Sequence, residues 1–122
     1  LRAVDLQDIK TTYQQGPRNI PFHLHVAEQK KEIEDCLAYT KQRPVEWLLN
    51  NLPVNDRFHL VHATHLSDYE VKALASAKAD VVLCPSTEGN LGDGIFSMKE
   101  YVKHGGKWCI GTDSHIGINP LE

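Results

Sequence analysis

Apolar positions along the chain fall into short blocks of two alternating kinds. Leu6, Ile9 and Tyr13 recur at helical spacing behind Asp5, a residue suited to cap a helix, and Gly16-Pro17 closes that stretch. Ile20 to Ala27 then reads as a strand. A helical stretch follows over 29–39, with Ile33, Cys36 and Leu37 on one face, and Arg43 to Leu49 begins a second short helix with Pro44 in its first turn. Phe58 to Ala63 is strand-like. Ser67-Asp68-Tyr69-Glu70 has the spacing of a capping box and opens a helix carrying Val71, Leu74 and Ala75. Asp80 to Cys84 is a third strand, stopped by Pro85. Ser86 to Gly94 reads as a polar, glycine-rich loop. Ser97 to Lys103 is a helix ended by His104-Gly105-Gly106, and Trp108 to Asp113 is a fourth strand.

The predicted order is therefore α-β-α-β-α-β-α-β. Short, largely apolar strands are those of a parallel sheet buried on both faces, and the alternation predicts an α/β architecture. A closed eight-stranded (β/α)8 barrel takes about 250 residues. The 122 residues here supply about half of one, as a single partial domain over 1–122. Such a half is expected to have open edges and an exposed apolar interior.

Composition narrows the function classes. The chain is 41% hydrophobic and 24% charged, with a formal charge of -3, which gives no clustered basic surface for nucleic acid or anionic lipid. No apolar run approaches the roughly 20 residues of a membrane span. The start at Leu1-Arg2-Ala3-Val4-Asp5 is neither a signal peptide nor a normal start with Met, so the chain is expected to be a piece of a longer one. Cys36, Cys84 and Cys109 form no CxxC pair and no disulfide framework. They read as reduced, mostly buried residues of a cytoplasmic protein.

Histidine is the unusual residue, with seven copies. The first predicted strand ends in His25, with Glu28 three residues on. The second ends in His62, followed by His65, and the fourth in Asp113-Ser114-His115. In α/β barrels the C-terminal ends of the strands carry the active site. Imidazole and carboxylate are good zinc ligands, and a catalytic zinc keeps one position for water, whose pKa falls to about 7. His25 and Asp113 could supply two ligands from two strands. Glu28 could take the water proton and pass it to a leaving group. His62 could hold the attacking oxygen or polarise a C=N bond. A lone His at a strand end is more often a hydrogen-bonded rim residue, and an Asp after a strand is often a turn former. The set on separate strand ends is what points to a metal-hydrolase site. His65 reads as a residue before a capped helix, and His59 and His104 as structural or solvent-facing. For His23-Leu24-His25, alternate strand residues face the same way. Either both are ligands, or only His25 is and His23 sits one layer deeper.

At His25-Val26-Ala27-Glu28-Gln29 the chain resembles the amidohydrolase superfamily, in its aminohydrolase branch. That branch has HxxE at the end of strand five, His at the end of strand six and Asp at the end of strand eight. These fall on His25 and Glu28, on His62 and on Asp113, within Leu60-Val61-His62-Ala63-Thr64-His65 and Gly111-Thr112-Asp113-Ser114-His115. Within the branch, the formimidoylglutamate deiminase family is the most similar, through Leu1-Arg2-Ala3-Val4, Arg43 to Leu49 and the long stretch Cys84 to Phe96. The resemblance implies hydrolysis of N-formimino-L-glutamate to N-formyl-L-glutamate and ammonia by one divalent metal, usually zinc. It assigns metal ligation to His25 and Asp113, proton transfer and water positioning to Glu28 and His62, and a substrate carboxylate to Arg2, whose guanidinium fork suits that group. The family's other two ligands, an HxH pair on strand one, are absent from this chain, so the activity is expected of a longer parent, a homo-oligomer acting on a small molecule. Two readings compete. One is a sister enzyme: guanine deaminase, S-adenosylhomocysteine deaminase or imidazolonepropionase. The other is a truncated, non-catalytic module.

Overall fold

The computed structural model describes residues 4–113. The elements are α1 (Leu6–Gln15), β1 (Phe22–Val26), α2 (Lys30–Thr40), α3 (Pro44–Asn51), β2 (Phe58–His62), α4 (Asp68–Ala77), β3 (Asp80–Leu83), α5 (Pro85–Leu91), α6 (Met98–Lys103) and β4 (Lys107–Ile110). The four strands form one parallel sheet in the order β1-β2-β3-β4. Register places His23 beside His59, His25 beside Val61 and Val61 beside Val82. Sequential parallel strands joined through helices are the repeating unit of an α/β barrel.

Strand alternation sorts the side chains by face. Val26, Phe58, Leu60 and Val81 are buried against Ile33, Val45, Leu48, Val71, Leu74 and Tyr101 from the helices. The ring of Tyr13 on α1 lies 5.6 Å from Phe22, edge-on, and 5.2 Å from Phe58. This is the core. On the opposite face Val61, Val82 and Cys84 make a second, smaller cluster. His23 and His25 are exposed there, and all four residues of β4 are exposed, so this face and this edge lack a covering layer among the described residues.

Two sequence expectations are corrected. Of the three cysteines, read as mostly buried, only Cys84 is buried, while Cys36 is half-buried and Cys109 is exposed on β4. Residues Ser86 to Gly94 are not a loop throughout, because 85–91 form α5. Pro85 stands in the first turn with its φ already set for a helix, and the helix ends at Gly92 in the left-handed region (φ 67°). Gly89 lowers the intrinsic helix propensity by about 1 kcal/mol relative to Ala. Anchoring by the Glu88 side chain, which accepts a hydrogen bond from the Cys84 N–H at 2.8 Å, offsets that cost. The capping box expected at α4 is present, with Ser67 accepting from the Glu70 N–H and Glu70 from the Ser67 N–H. Among the described residues no helix is long and apolar enough to cross a membrane.

Candidate active site at the C-terminal ends of the strands

The ends of β1 and β2 leave the extended conformation abruptly. Ala27 (φ 53°), His62 (φ 70°) and Ala63 (φ 48°) are all left-handed, as is Asp113 (φ 54°), three residues beyond β4. Such backbone costs a non-glycine residue roughly 1–3 kcal/mol and persists only where neighbours over-determine it. Here they do. The Ala63 N–H donates to the Val26 carbonyl at 3.0 Å and the His65 N–H to the Ala27 carbonyl at 3.0 Å, tying the two strand ends together. Glu32, buried on α2, accepts from the N–H groups of Ala27 (2.9 Å) and Glu28 (3.1 Å), which fixes the turn that carries Glu28.

These turns bring four of the residues expected from the sequence into one place. His25 Nε2 lies 2.9 Å from Asp113 Oδ1. His62 Nε2 lies 3.6 Å from Glu28 Oε1 and 3.8 Å from Asp113 Oδ2, too far for a direct hydrogen bond in either case. The rings of His25 and His62 are 5.3 Å apart. Glu28 and His62 are buried, and His62 Nε2 is a buried atom without a hydrogen-bond partner. The hydrogen bond from His25 holds the Asp113 carboxyl below its ordinary range, against the opposing effect of burial and with help from the charge of His62. Donor atoms of His25, His62 and Asp113 all lie within 4.8 Å of one another. Two imidazoles and an ionised carboxylate converging on one point, with a buried lone pair unused, fit a divalent cation such as zinc. His62, Cys84 and Glu88 also converge within 4.8 Å. There the thiol of Cys84 is pushed up to about 11, mainly by burial, so it stays protonated at neutral pH.

The structure also separates His23 from this site. Its ring stacks on that of His59 at 4.6 Å, one layer down the sheet, and His59 Nδ1 lies 3.7 Å from Asp80 Oδ2. Burial, with the charge of His59, lowers the His23 pKa. So His25, not His23, is the member of the pair that meets Asp113. His65 lies beside Gly94, 3.3 Å from where a Cβ would stand. Arg2 and His115 lie outside the described residues.

Sequence reasoning missed three acidic or hydroxylic neighbours. Glu32 holds the Glu28 turn. From α5, Thr87 hydrogen-bonds Asp113, and Glu88 Oε1 lies 3.1 Å from His62 Nδ1. The signal available for Glu32 was its i+4 spacing from Glu28 at a helix start. Thr87 and Glu88 gave none once their stretch was read as a loop.

The amidohydrolase family profile matches residues 17–122. The chain belongs to the amidohydrolase family. It is 47% identical, over all of its 122 residues and 27% of the relative, to formimidoylglutamate deiminase of Pseudomonas aeruginosa. It is 32% identical over 85% of its length, and 25% of the relative, to the 5-methylthioadenosine/S-adenosylhomocysteine deaminase of Pyrococcus furiosus. Among solved structures, an amidohydrolase from Brucella melitensis superposes with a TM-score of 0.89 at 49% identity, covering 94% of this chain and 26% of that one. A zinc-bound adenosine deaminase from Xanthomonas campestris gives 0.77 at 30% identity, covering 88% and 24%. The amidohydrolase chain described here thus spans about a quarter of the length of these relatives. Its four parallel strands with their helices are half of a barrel of the amidohydrolase type.

Proposed function

We propose that this chain is the C-terminal half of the barrel of a cytoplasmic, metal-dependent deiminase that hydrolyses N-formimino-L-glutamate to N-formyl-L-glutamate and ammonia. The observation that carries the reading is the convergence of His25, Glu28, His62 and Asp113 at the strand ends, combined with 47% identity over the whole chain to a formimidoylglutamate deiminase. His25 and Asp113 are the residues that would hold the cation, together with two ligands from outside this chain. When bound, that cation supplies Lewis-acid chemistry, bringing the pKa of a water to about 7. Glu28 is placed to move both water protons to the nitrogen of the scissile C=NH group, the first as the oxygen adds to carbon and the second from the resulting hydroxyl, so that the nitrogen leaves as NH3 and the oxygen stays on carbon as the formyl group. His62 offers Nε2 to the atoms that change charge as the carbon becomes tetrahedral. Free thiols at Cys36, Cys84 and Cys109 fit a reducing compartment.

Identity of 32% to a purine-nucleoside deaminase supports one competing substrate class. Arg2 favours the acidic, acyclic one, since a guanidinium pairs a carboxylate through two parallel bonds. The test is ammonia release by the full-length protein from N-formimino-L-glutamate, S-adenosylhomocysteine and guanine, before and after Arg2→Met. The expected result is a preference for formiminoglutamate. Its KM should rise about 10- to 150-fold in the variant, from a charged hydrogen bond worth about 1.5–3 kcal/mol. Preference for a purine substrate would overturn the substrate assignment, and an unchanged KM would remove Arg2 from it.

A further inference from the structure

His62 is held from behind by α5. Glu88 Oε1 sits between two groups, the Cys84 N–H at 2.8 Å and His62 Nδ1 at 3.1 Å. The backbone N–H can only donate, so this oxygen is an acceptor. His62 Nδ1 must then carry the hydrogen. In the neutral ring the lone pair is thereby placed on Nε2, the buried atom without a hydrogen-bond partner that faces Glu28 and Asp113. The His62 side chain is fully buried and that of Glu88 is 12% exposed, so water competes weakly for this contact. The left-handed backbone at His62 limits the approach of its ring, and α5 supplies the partner that fixes the remaining rotation.

We propose that Glu88 is a positioning residue of the deiminase. It fixes the tautomer and orientation of His62, so that Nε2 rather than Nδ1 is presented to the substrate. This rests on the reading of His62 as a group that acts on the substrate. The helix over 85–91 delivers this carboxylate to His62. Outer partners that orient the histidines of a metal site typically cost about 10- to 100-fold in metal affinity or activity when removed.

The experiment uses the full-length protein with Glu88→Ala and Glu88→Gln. In Glu88→Ala, kcat should fall about 10- to 100-fold, with KM changed less than about 3-fold and metal content unchanged. In Glu88→Gln the amide oxygen must still face the Cys84 N–H, so it still accepts from Nδ1–H and most of kcat should return. The direct readout is the ring ¹⁵N spectrum of His62, which reports tautomer whatever the substrate proves to be. Nδ1–H is expected in wild type and Glu88→Gln, and a shift towards Nε2–H in Glu88→Ala. Unchanged tautomer or unchanged kcat in Glu88→Ala would overturn the proposal. So would equal losses of kcat and melting temperature in both variants, which would make Glu88 a staple of α5 alone. If Glu88→Ala fails to fold, Glu88→Gln decides: retained Nδ1–H with near-normal kcat supports the proposal, and Nε2–H with near-normal kcat overturns it. Failure of formiminoglutamate as substrate leaves the tautomer result standing, so the two readings fail separately.

Discussion

At His62 the backbone is left-handed (φ 70°) and the side chain is fully buried, yet its Nε2 has no hydrogen-bond partner. Orphaning a buried polar atom costs about 1–3 kcal/mol, which a fold tolerates where another group is meant to arrive. Glu28 stands opposite at 3.6 Å and is also buried, on a turn held by Glu32. In Glu28→Gln the shape is kept and the proton acceptor is lost. The full-length protein should keep its metal and lose about 10²- to 10⁴-fold in kcat, as a general acid–base group contributes. Asp113→Ala or His25→Ala should instead strip most of the metal, by more than the 10- to 100-fold in affinity that a supporting neighbour is worth. Elemental analysis and steady-state kinetics on the three variants separate these roles. Unchanged zinc in both ligand variants, or near-normal turnover in Glu28→Gln, would leave these residues as turn formers.

At the scale of elements, α4 shows what is legible locally and what is not. Ser67 and Glu70 announce a capping box by spacing alone. The same Glu70 carboxylate also receives Arg43 Nε at 2.8 Å and the Glu46 N–H at 3.1 Å, while the Arg43 guanidinium donates to the His65 carbonyl at 2.6 Å. One buried carboxylate therefore joins the starts of α3 and α4 to the loop after β2. Glu70→Ala should lower stability by about 3 kcal/mol, since breaking a buried pair strands its partners, although Arg43 keeps part of its side chain in water. Chemical denaturation of the chain would measure it, and a loss under about 1 kcal/mol, the value of a cap alone, would mean the network adds nothing. The strands and most helices were readable because their periodicity and caps are local. So was the placement of His25, His62 and Asp113 near one another, because each sits at or just past a strand end. The structure of α5 was not readable. Its stretch carries two glycines, Gly89 and Gly92, and its anchor, Glu88 on His62, spans 26 residues of sequence. Thr87 and Glu88 share that difficulty, because each acts through a partner distant in sequence, whereas Glu32 accepts from the nearby N–H groups of Ala27 and Glu28.

At the scale of the molecule, the face that bears His25 and the edge formed by β4 are open among the described residues. Trp108 is 46% exposed and Ile110 67%, where the strands of a complete barrel are covered on both faces. The core beneath is well formed, with Val26, Phe58, Leu60, Leu74 and Tyr101 almost fully buried. Two properties should therefore coexist in the 122-residue polypeptide studied by itself. Its helix-side core should give native-like secondary structure by circular dichroism. Its open strand edge, a row of unpaired backbone groups flanked by apolar side chains, should drive self-association and binding of a hydrophobic dye. On the proposed assignment of His25 and Asp113 as this chain's ligands, it should also bind zinc far more weakly than the full-length protein, because each further ligand adds to affinity without a new cost of bringing the ion to the site. Sedimentation velocity, dye fluorescence and a zinc titration on the isolated polypeptide and the full-length protein test all three points together. A dye-silent monomer would mean that β4 is covered within these 122 residues. Zinc binding as tight as in the full-length protein would mean that the cation site is complete within them, with His62 the first residue to examine as a third ligand, since its Nε2 lies 3.8 Å from Asp113.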